Sequence, residues 1–414
     1  MKRLVVLLVI FSMFSCVVPV FGLDYWNQTY GTEEIEEGRW VIQTSDDGYA
    51  VGGYTRDVTA DEYDRDFLLV KTDVNGIMEW NQTYELKQYD TVASFVETSD
   101  GGFAIAGESS GGWLIKTDET GMVLWKKTYS TPDTGERPYG IIETVDGKFV
   151  LAGSTWTVGE GGTDVWLIKT DQSGNMEWNQ TYATDGGDRA NSVIVTSDGG
   201  FALAGSGWST NSSSYDFWLI KTDEMGVMQW NRTYNYKKNY WSDANFVFET
   251  DEGGFVVAGI VRFPMPLPFS HFWVIRTDAY GNVKWTKTYG ETEHEKITAI
   301  VSTSDGGYAM TGYWGTENSE NVLLLKIDSM GNVKWKQTFG GPEKDVGYSL
   351  IETSDRCYVV IGETQSFGNG ETDFLLIKSD EMGNIPEFPS WTPLLITLVT
   401  MVVVAVVYRK RLAK

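Results

Sequence analysis

The chain has 414 residues, 33 of them basic and 57 acidic, and its formal net charge is −24. Aromatic residues make up 14% of it and charged residues only 22%, so most of the chain should fold. The acidic balance argues against a nucleic-acid partner. With only two histidines, a zinc site with three histidine ligands is excluded. Cys16 lies in an apolar leader, which leaves only Cys357 in the mature chain and excludes a disulfide framework.

Residues 1–22 are predicted to be a secretory signal peptide. Lys2 and Arg3 precede an apolar run over residues 4–18, and Gly22 ends the segment. A charged start, a short apolar core and a small residue before the cleavage point form the secretory pattern. We therefore expect the mature chain to begin near Leu23, with an uncleaved anchor as the alternative.

Residues 23–384 contain seven copies of one unit of about 50 residues, a period that indicates a propeller or a solenoid. Each copy has an acidic Gly-rich turn followed by an alternating apolar run, as at residues 99–107, and a tryptophan in the context W-x-x-T-Y/F. The seven tryptophans are Trp26, Trp80, Trp125, Trp178, Trp230, Trp285 and Trp335. We expect them to pack between units.

Four short strands per unit, joined by glycine turns, predict the blades of an all-β, seven-bladed β-propeller. In the fourth unit the strands are predicted at residues 192–196, 201–205, 217–222 and 228–234. The chain opens on a fourth strand at Trp26 and stops repeating at residues 383–384, where a fourth strand should begin. The N-terminal strand is therefore expected to complete the last blade and close the ring.

One basic residue recurs at the end of each third strand and is expected to form a local salt bridge. These residues are Lys71, Lys116, Lys169, Lys221, Arg276, Lys326 and Lys378.

Strand direction divides the connections between two faces. The short turns that link strands 1–2 and strands 3–4 share one face, here called the tight-turn face. The connections between strands 2–3 and between strand 4 and the next strand 1 vary in length, and they share the opposite, variable face. Binding residues concentrate on loops held by a rigid scaffold, so the variable face is the predicted binding face.

An acidic residue recurs near the start of strand 1, which lines the central channel of a propeller. The acids are Glu36, Asp90, Glu136, Asp188, Glu295 and Asp345, and Ser242 replaces them in the fifth unit. A ring of carboxylates at the channel mouth could hold a hard cation such as calcium. Alternatively, each acid accepts backbone N–H bonds or pairs with a neighbour such as Arg137 or Arg189. We favour the second interpretation, and we predict no metal site and no cofactor.

The loops of the fifth unit depart most from the repeat. The connection before its first strand contains Lys237, Lys238, Tyr240 and Trp241, and its 2–3 loop contains Phe263, Met265, Leu267 and Phe269. Together they are candidate ligand-binding residues, because an exposed apolar patch usually marks a contact site. The alternative is that the phenylalanines fold back and plug the channel.

Five N-x-S/T sequons are candidate glycosylation sites on a secreted chain. Their asparagines are Asn27, Asn81, Asn179, Asn211 and Asn231. The alternative is that the W-N-x-T sequence was simply copied with the repeat.

The C-terminal segment is predicted to anchor the chain. Residues 385–390 form a short linker, residues 391–408 are uncharged, and residues 409–414 are a basic tail. Eighteen helical residues span about 27 Å, enough to cross the hydrocarbon layer. Basic residues stay on the cytoplasmic side, so the chain is expected to cross the cell membrane once, with its body outside and its C-terminus inside.

The predicted extracellular body is more acidic than the whole chain. Six of the 33 basic residues but only one of the 57 acidic residues lie outside residues 24–385, so the body carries a formal charge of −29. Such a field keeps a surface protein soluble and attracts cations or basic partners.

Two sets of motifs resemble known families. The S-D-G-G-[FY] and K-x-D-x-x-G-x-x-x-W patterns resemble those of secreted bacterial and archaeal repeat β-propeller proteins. The Pro-Glu-Phe at residues 386–388, with the apolar span and basic end, resembles the PEF-type C-terminal sorting segments of archaeal surface proteins. That second resemblance implies a tail that an archaeosortase could cut and replace with a lipid.

These features favour a cell-surface binding module for an extracellular protein or glycan, acting as a monomer. No residue is assigned a catalytic role. One alternative is an extracellular carbohydrate lyase or hydrolase that uses two carboxylates on the variable face, which glycosidases place about 5–9.5 Å apart. The other is a structural protein of the cell envelope.

Overall fold

The computed structural model describes residues 25–385, apart from residues 33, 57–64, 86–90, 109–110, 130–134, 157–161, 264–269, 291–293, 317–318 and 370. The predicted signal peptide, the predicted membrane span and the basic tail lie outside the described residues. Within the described part, the chain forms 28 strands that pair into seven four-stranded sheets.

In chain order the strands are β1 (Trp26–Tyr30), β2 (Ile35–Gln43), β3 (Tyr49–Arg56), β4 (Asp66–Thr72), β5 (Met78–Tyr84), β6 (Thr91–Glu97), β7 (Phe103–Glu108), β8 (Gly112–Thr117), β9 (Val123–Tyr129), β10 (Arg137–Glu143), β11 (Phe149–Trp156), β12 (Thr163–Thr170), β13 (Met176–Tyr182), β14 (Arg189–Val195), β15 (Phe201–Ser209), β16 (Ser214–Thr222), β17 (Met228–Tyr234), β18 (Trp241–Glu249), β19 (Phe255–Arg262), β20 (Ser270–Thr277), β21 (Val283–Tyr289), β22 (Glu295–Ser302), β23 (Tyr308–Trp314), β24 (Asn321–Ile327), β25 (Val333–Phe339), β26 (Asp345–Glu352), β27 (Tyr358–Thr364) and β28 (Asp373–Ser379).

The sheets are the blades of a seven-bladed β-propeller, which confirms the predicted all-β architecture. Blades 1 to 6 each take four consecutive strands, beginning with β2, β6, β10, β14, β18 and β22. Blade 7 has the order β1-β28-β27-β26. In it β1 runs antiparallel to β28, with Trp26 opposite Lys378 and Tyr30 opposite Phe374.

The hydrophobic core is divided among the interfaces between blades. Seven apolar clusters each join two neighbouring blades, and one of them joins blade 7 to blade 1. The first strands of neighbouring blades contact one another, which places them innermost around the central axis. Each blade therefore buries both faces, as its runs of valine, isoleucine, leucine and phenylalanine require.

The repeated tryptophan packs against the next blade, as the sequence predicts. Trp80 meets Phe103 of blade 2 edge to face with ring centroids 5.8 Å apart, and Trp26 meets Tyr49 of blade 1 in the same way. The tryptophan ring also covers the glycine of the next blade's 3–4 turn; a Cβ at Gly76 would lie 2.4 Å from a ring atom of Trp26. That glycine has a φ of +73°, so the turn requires glycine for its backbone as well as for this contact.

A tyrosine hydroxyl adds a polar bond at the same place. The tyrosine that ends a fourth strand donates to the carbonyl oxygen of that glycine across the blade interface, at 2.5–2.9 Å. The donors are Tyr30, Tyr84, Tyr129, Tyr182, Tyr234 and Tyr289. Blade 6 ends its fourth strand with Phe339, which has no hydroxyl.

The repeated basic residue joins strand 3 to the 1–2 turn of its own blade. The Lys71 ammonium lies 2.7 Å from an Asp46 carboxylate oxygen and 2.9 Å from the carbonyl oxygen of Thr72. The corresponding lysines of blades 2, 4, 6 and 7 bond their turn aspartates in the same way, and Arg276 pairs with Glu252 in blade 5. Lys169 of blade 3 lies instead over the Phe201 ring. The predicted salt bridge is thus present in six of the seven blades.

Each first strand contains a β-bulge that the sequence did not reveal. In β14 the register shifts between Ala190 and Ser192, so Asn191 is the extra residue. The bulge breaks the alternation of apolar residues, and this is why the predicted strand began at residue 192 while β14 begins at Arg189. The bulged residues are Arg39, Ala93, Tyr139, Asn191, Asn245, Thr298 and Tyr348.

No helix that is long and apolar enough to cross a membrane occurs in the part of the chain that the structure describes.

Candidate functional site

A cleft of about 370 Å³ lies on the variable face where blades 3, 4 and 5 meet. The first strands of these blades begin there, and their second strands end there. Its walls contain Arg137, Tyr139, Ser154, Trp156, Thr163, Gly187, Asp188, Arg189, Ser206, Tyr215, Trp241, Ser242, Asp243, Ile260 and Arg262. Because the innermost strands of the propeller supply much of the lining, the cleft has a rigid base.

Three arginines of this acidic chain lie in the cleft. Arg137 begins β10, Arg189 begins β14 and Arg262 ends β19. The Arg137 Nε atom lies 3.2 Å from a carboxylate oxygen of Glu108, and 53% of the Arg137 side chain remains exposed. Arg262 is exposed. The cleft thus offers guanidinium groups to solvent at three points of its wall.

Arg189 is held in place by Asp243, which Asn191 holds in turn. Its Nη2 atom contacts an oxygen of Asp243, and its Nε atom lies 3.4 Å from the other oxygen. The Asn191 amide donates to Asp243 at 2.7 Å and to the carbonyl oxygen of Ala244 at 2.9 Å. Burial alone would lower the pKa of Arg189, but the hydrogen bond and charge of Asp243 raise it. The pair therefore keeps one cationic group fixed between blades 4 and 5.

Aromatic side chains form the rest of the wall. Trp156 is 56% exposed and Trp241 is 53% exposed, unusually high values for tryptophan in a folded chain. Tyr215 lies between Trp208 and Trp241, with ring centroids 5.2 Å and 5.3 Å away and both pairs edge to face. This stacking fixes the orientation of Trp241. Rigid, exposed aromatic groups beside arginines are the residue types that dominate binding energy at protein interfaces.

The charges of the cleft come from a position that differs between blades. Two residues before each bulge stand Glu37, Thr91, Arg137, Arg189, Asp243, Lys296 and Val346. A position that served only the repeated fold would keep one residue type. The succession Arg137, Arg189 and Asp243 occurs only at blades 3 to 5, so the cleft is a local feature of the ring.

The repeated acids come just before this position in the sequence, and three of them, Glu36, Asp188 and Asp345, are buried and hydrogen-bonded. Glu36 accepts bonds from the backbone N–H and hydroxyl of Thr32, and Asp188 accepts both from Thr184. Asp345 accepts from the Gly341 N–H and the Ser366 hydroxyl. Burial raises the pKa of all three carboxyl groups, and these hydrogen bonds, which lower the pKa, offset only part of that rise. Each acid thus fixes the connection that leads into its own blade.

The remaining acids of the predicted ring differ from one another. Glu136 is buried, and Glu295 pairs with Lys336 at 2.5 Å. Asp90 lies outside the described residues. The two arginines suggested as partners bind other acids, since Arg137 pairs with Glu108 and Arg189 with Asp243. In the described ranges, no three His, Cys, Asp or Glu side chains form a group that could hold a metal ion.

The described residues of the blade 5 loops lie partly on the core between blades 4 and 5 and partly in the cleft. Tyr240 packs on the core cluster of blades 4 and 5. The Phe263 ring lies between Tyr240 and His271, with ring centroids 5.1 Å and 4.6 Å away. Lys237 lies over the Tyr240 ring, and Lys238 is exposed. Trp241, the next residue, lines the cleft. Met265, Leu267 and Phe269 lie outside the described residues.

Four sequon asparagines lie on outer strands, and one lies in a turn. Asn81, Asn179 and Asn231 are exposed on β5, β13 and β17, while Asn27 on β1 is half-buried. Asn211 is exposed in the turn between β15 and β16. The exposed asparagines have room for a glycan.

Of the cleft residues, the sequence predicts only Asp188 and Trp241 as ligand-binding residues and names Arg137 and Arg189 only as partners of the acids; Trp156, Tyr215 and Arg262 are not predicted. The acid repeats between blades and is therefore conspicuous in the sequence, whereas the next residue varies. The detectable signal was the change of charge at that varying position. The extra residue at each bulge hid which side chains share a wall.

Solved structures share this fold. The WD40 domain of Pan2 from Neurospora crassa matches with a TM-score of 0.53 at 8% identity, over 86% of this chain and 92% of that chain. A protein of unknown function from Dyadobacter fermentans matches with a TM-score of 0.50 at 10% identity, over 86% of this chain and 98% of that chain. At such identities the likeness shows the fold alone. No family model and no curated protein matches the chain.

Proposed function

We propose that this chain is a cell-surface binding module that recognises an extracellular protein or glycan through the cleft of blades 3 to 5. The cleft combines exposed tryptophan rings with arginines that neighbouring side chains hold in place. It belongs to the face whose connections vary between blades, which is where a repeated scaffold places its specific residues.

We further propose how the module is presented. Residues 1–22 direct the chain out of the cell, and residues 391–408 anchor it or are exchanged for a lipid after sorting. The pairing of β1 with β28 supports a ring closed by the N-terminal strand. The sequons of β5, β13 and β17 are proposed glycan sites on the outer rim.

One observation supports binding most strongly: Trp156 of blade 3 and Trp241 of blade 5 remain more than half exposed in a cleft that also contains three arginines. Exposed aromatic side chains that are grouped in one cleft, with charged groups beside them, are typical of a contact site.

The chain offers a matched pair of tryptophans to test this role. Trp156 is the last residue of β11 and pairs with Thr163, while Trp314 is the last residue of β23 and pairs with Asn321. Both are exposed at the end of a second strand, but only Trp156 lines the cleft. Full-length protein should be screened on glycan and peptide arrays, and its hits measured by calorimetry.

Trp156→Ala should weaken binding of a genuine ligand by about 10-fold or more, the usual effect of losing a central aromatic contact. Trp314→Ala should leave the affinity unchanged. Equal losses in the two variants would show that the cleft is not the binding site, and an absence of hits on both arrays would argue for the structural role.

A further inference from the structure

The tight-turn face is ringed by exposed apolar side chains. Of the 20 large hydrophobic residues that are exposed in the described part of the chain, 15 lie in the 3–4 turns and at the starts of the fourth strands. They are Val74, Ile77, Met78, Met122, Val123, Leu124, Met176, Met225, Val227, Met228, Tyr280, Val283, Met330, Val333 and Met382. This set is called the apolar belt.

The belt is not explained by packing between blades. At each 3–4 turn the interface is made by the glycine, which lies under the tryptophan of the preceding blade and, at six of the seven turns, accepts a bond from that blade's tyrosine. The belt residues flank that glycine and remain 36–69% exposed. Single exposed apolar residues are ordinary on a protein surface. A repeated series of them around one face is instead the kind of exposed apolar surface that marks a contact site.

The densest part of the belt adjoins the place where the described chain ends. Blades 1 and 2 contribute six of its residues, at positions 74–78 and 122–124. Blade 1 is the neighbour of blade 7, because the Trp26 ring of blade 7 covers Gly76. After β28 the chain makes the turn at residues 380–383 on the same face, and Ile385 is the last residue that the structure describes.

The sequence beyond Ile385 identifies the occupant of this surface. Only residues 386–390 separate it from the uncharged apolar stretch at 391–408. Five residues reach about 18 Å at most, at 3.3–3.6 Å each, and Pro386 and Pro389 restrict them further. A membrane entered at residue 391 therefore lies within reach of the tight-turn face.

We propose that the apolar belt docks the propeller on the lipid surface, with the side chains of blades 1 and 2 buried in the interface. This proposal rests on the membrane anchor of the proposed function. Apolar area favours such binding, whereas the body's negative charge does not help it on an anionic membrane. Apolar contact therefore supplies the favourable free energy of membrane binding. Because salt screens only exposed charges, the contact should persist at high salt.

Labels on the two faces test the proposal in the full-length chain. Cys16 and Cys357 are replaced by alanine, and one environment-sensitive fluorophore is placed by Met122→Cys, with Ile77→Cys as a second site. The control is Asn211→Cys, exposed in the β15–β16 turn on the variable face. The proteins are reconstituted into phosphatidylcholine vesicles whose acyl chains carry bromine, and only the chains that float with the vesicles are measured.

The labels at positions 122 and 77 should lose about half of their emission to the brominated lipid, at low and at high salt alike, while the label at position 211 keeps its emission. Floating chains with no quenching at 122 and 77 would overturn the belt proposal and leave the anchor standing. Chains that do not float would overturn both. The label at position 122 could instead be quenched by a second label, with a quenching that falls on dilution of the protein, and not by brominated lipid. That result would assign the belt to contacts between copies of the chain and would also overturn lipid docking.

Discussion

At the scale of single residues, a tryptophan ring covers a turn glycine at every blade interface, and at six of the seven a tyrosine hydroxyl donates to that glycine's carbonyl oxygen. Trp178 covers Gly226 while the Tyr182 hydroxyl donates to its carbonyl oxygen. The six bonded tyrosines are buried, and burial raises the pKa of each hydroxyl above its usual value. They therefore remain protonated donors at any ordinary pH. Phe339 leaves the corresponding carbonyl oxygen of Gly383 without this donor.

Phe339→Tyr should supply the missing bond between blades 6 and 7. A hydrogen bond of this kind stabilises a fold by about 0.5–1.5 kcal/mol. The reverse change, Tyr289→Phe, leaves the buried carbonyl oxygen of Gly331 unpaired and should cost about 1–3 kcal/mol. Denaturant unfolding measures both, with the slope checked for constancy.

Tyr280→Phe is the control, because Tyr280 is an exposed member of the belt outside these interfaces. It should not change the midpoint. If Phe339→Tyr lowered the unfolding free energy, the β25 position would be too tight for the hydroxyl, and the seven interfaces would not be equivalent.

At the scale of elements, β1 is the only strand of blade 7 that precedes the rest of the propeller in sequence. Its Tyr30 and Trp26 pack in the cluster shared by blades 7 and 1. Next to it, the Glu36 N–H donates to the Thr372 carbonyl oxygen at 2.9 Å. The two ends of the described chain are thus joined by a sheet and by a core.

Removing residues 23–32 should expose the edge of β28 and part of that core. Loss of a large buried aromatic alone costs about 3–5 kcal/mol, so the shortened chain should unfold at clearly lower denaturant concentration. A chain that starts at Leu23 and keeps β1 is the matched control. Identical unfolding curves would mean that β1 does not contribute to closing the ring.

Period and turn chemistry made most of the elements predictable. The predicted fourth strand at residues 228–234 coincides with β17, because an Asp-x-x-Gly turn precedes it and alternation is unbroken within it. The predicted first strand missed Arg189–Asn191, where the bulge interrupts alternation. The cleft was harder to predict because it depends on three blades meeting, which no single repeat encodes.

At the scale of the whole molecule, the two faces of the propeller differ in chemistry. The tight-turn face carries the apolar belt and the chain's exit toward residues 386–408. The variable face carries the cleft, whose arginines stand out on a body with a formal charge of −29. We infer that the first face meets the membrane and the second meets the partner.

Accessibility on intact cells tests this division of the two faces most directly. Lys238 is exposed before β18 on the variable face, and Val145 is exposed in the β10–β11 turn on the tight-turn face. Each is replaced singly by cysteine, with Cys357→Ala, and treated with a bulky polymer-linked maleimide. Labelling on cells should be about 10-fold faster at position 238, since the membrane shields the opposite face, and the two rates should be equal after detergent extraction. Equal rates on cells, or faster labelling at position 145, would contradict this division of the two faces.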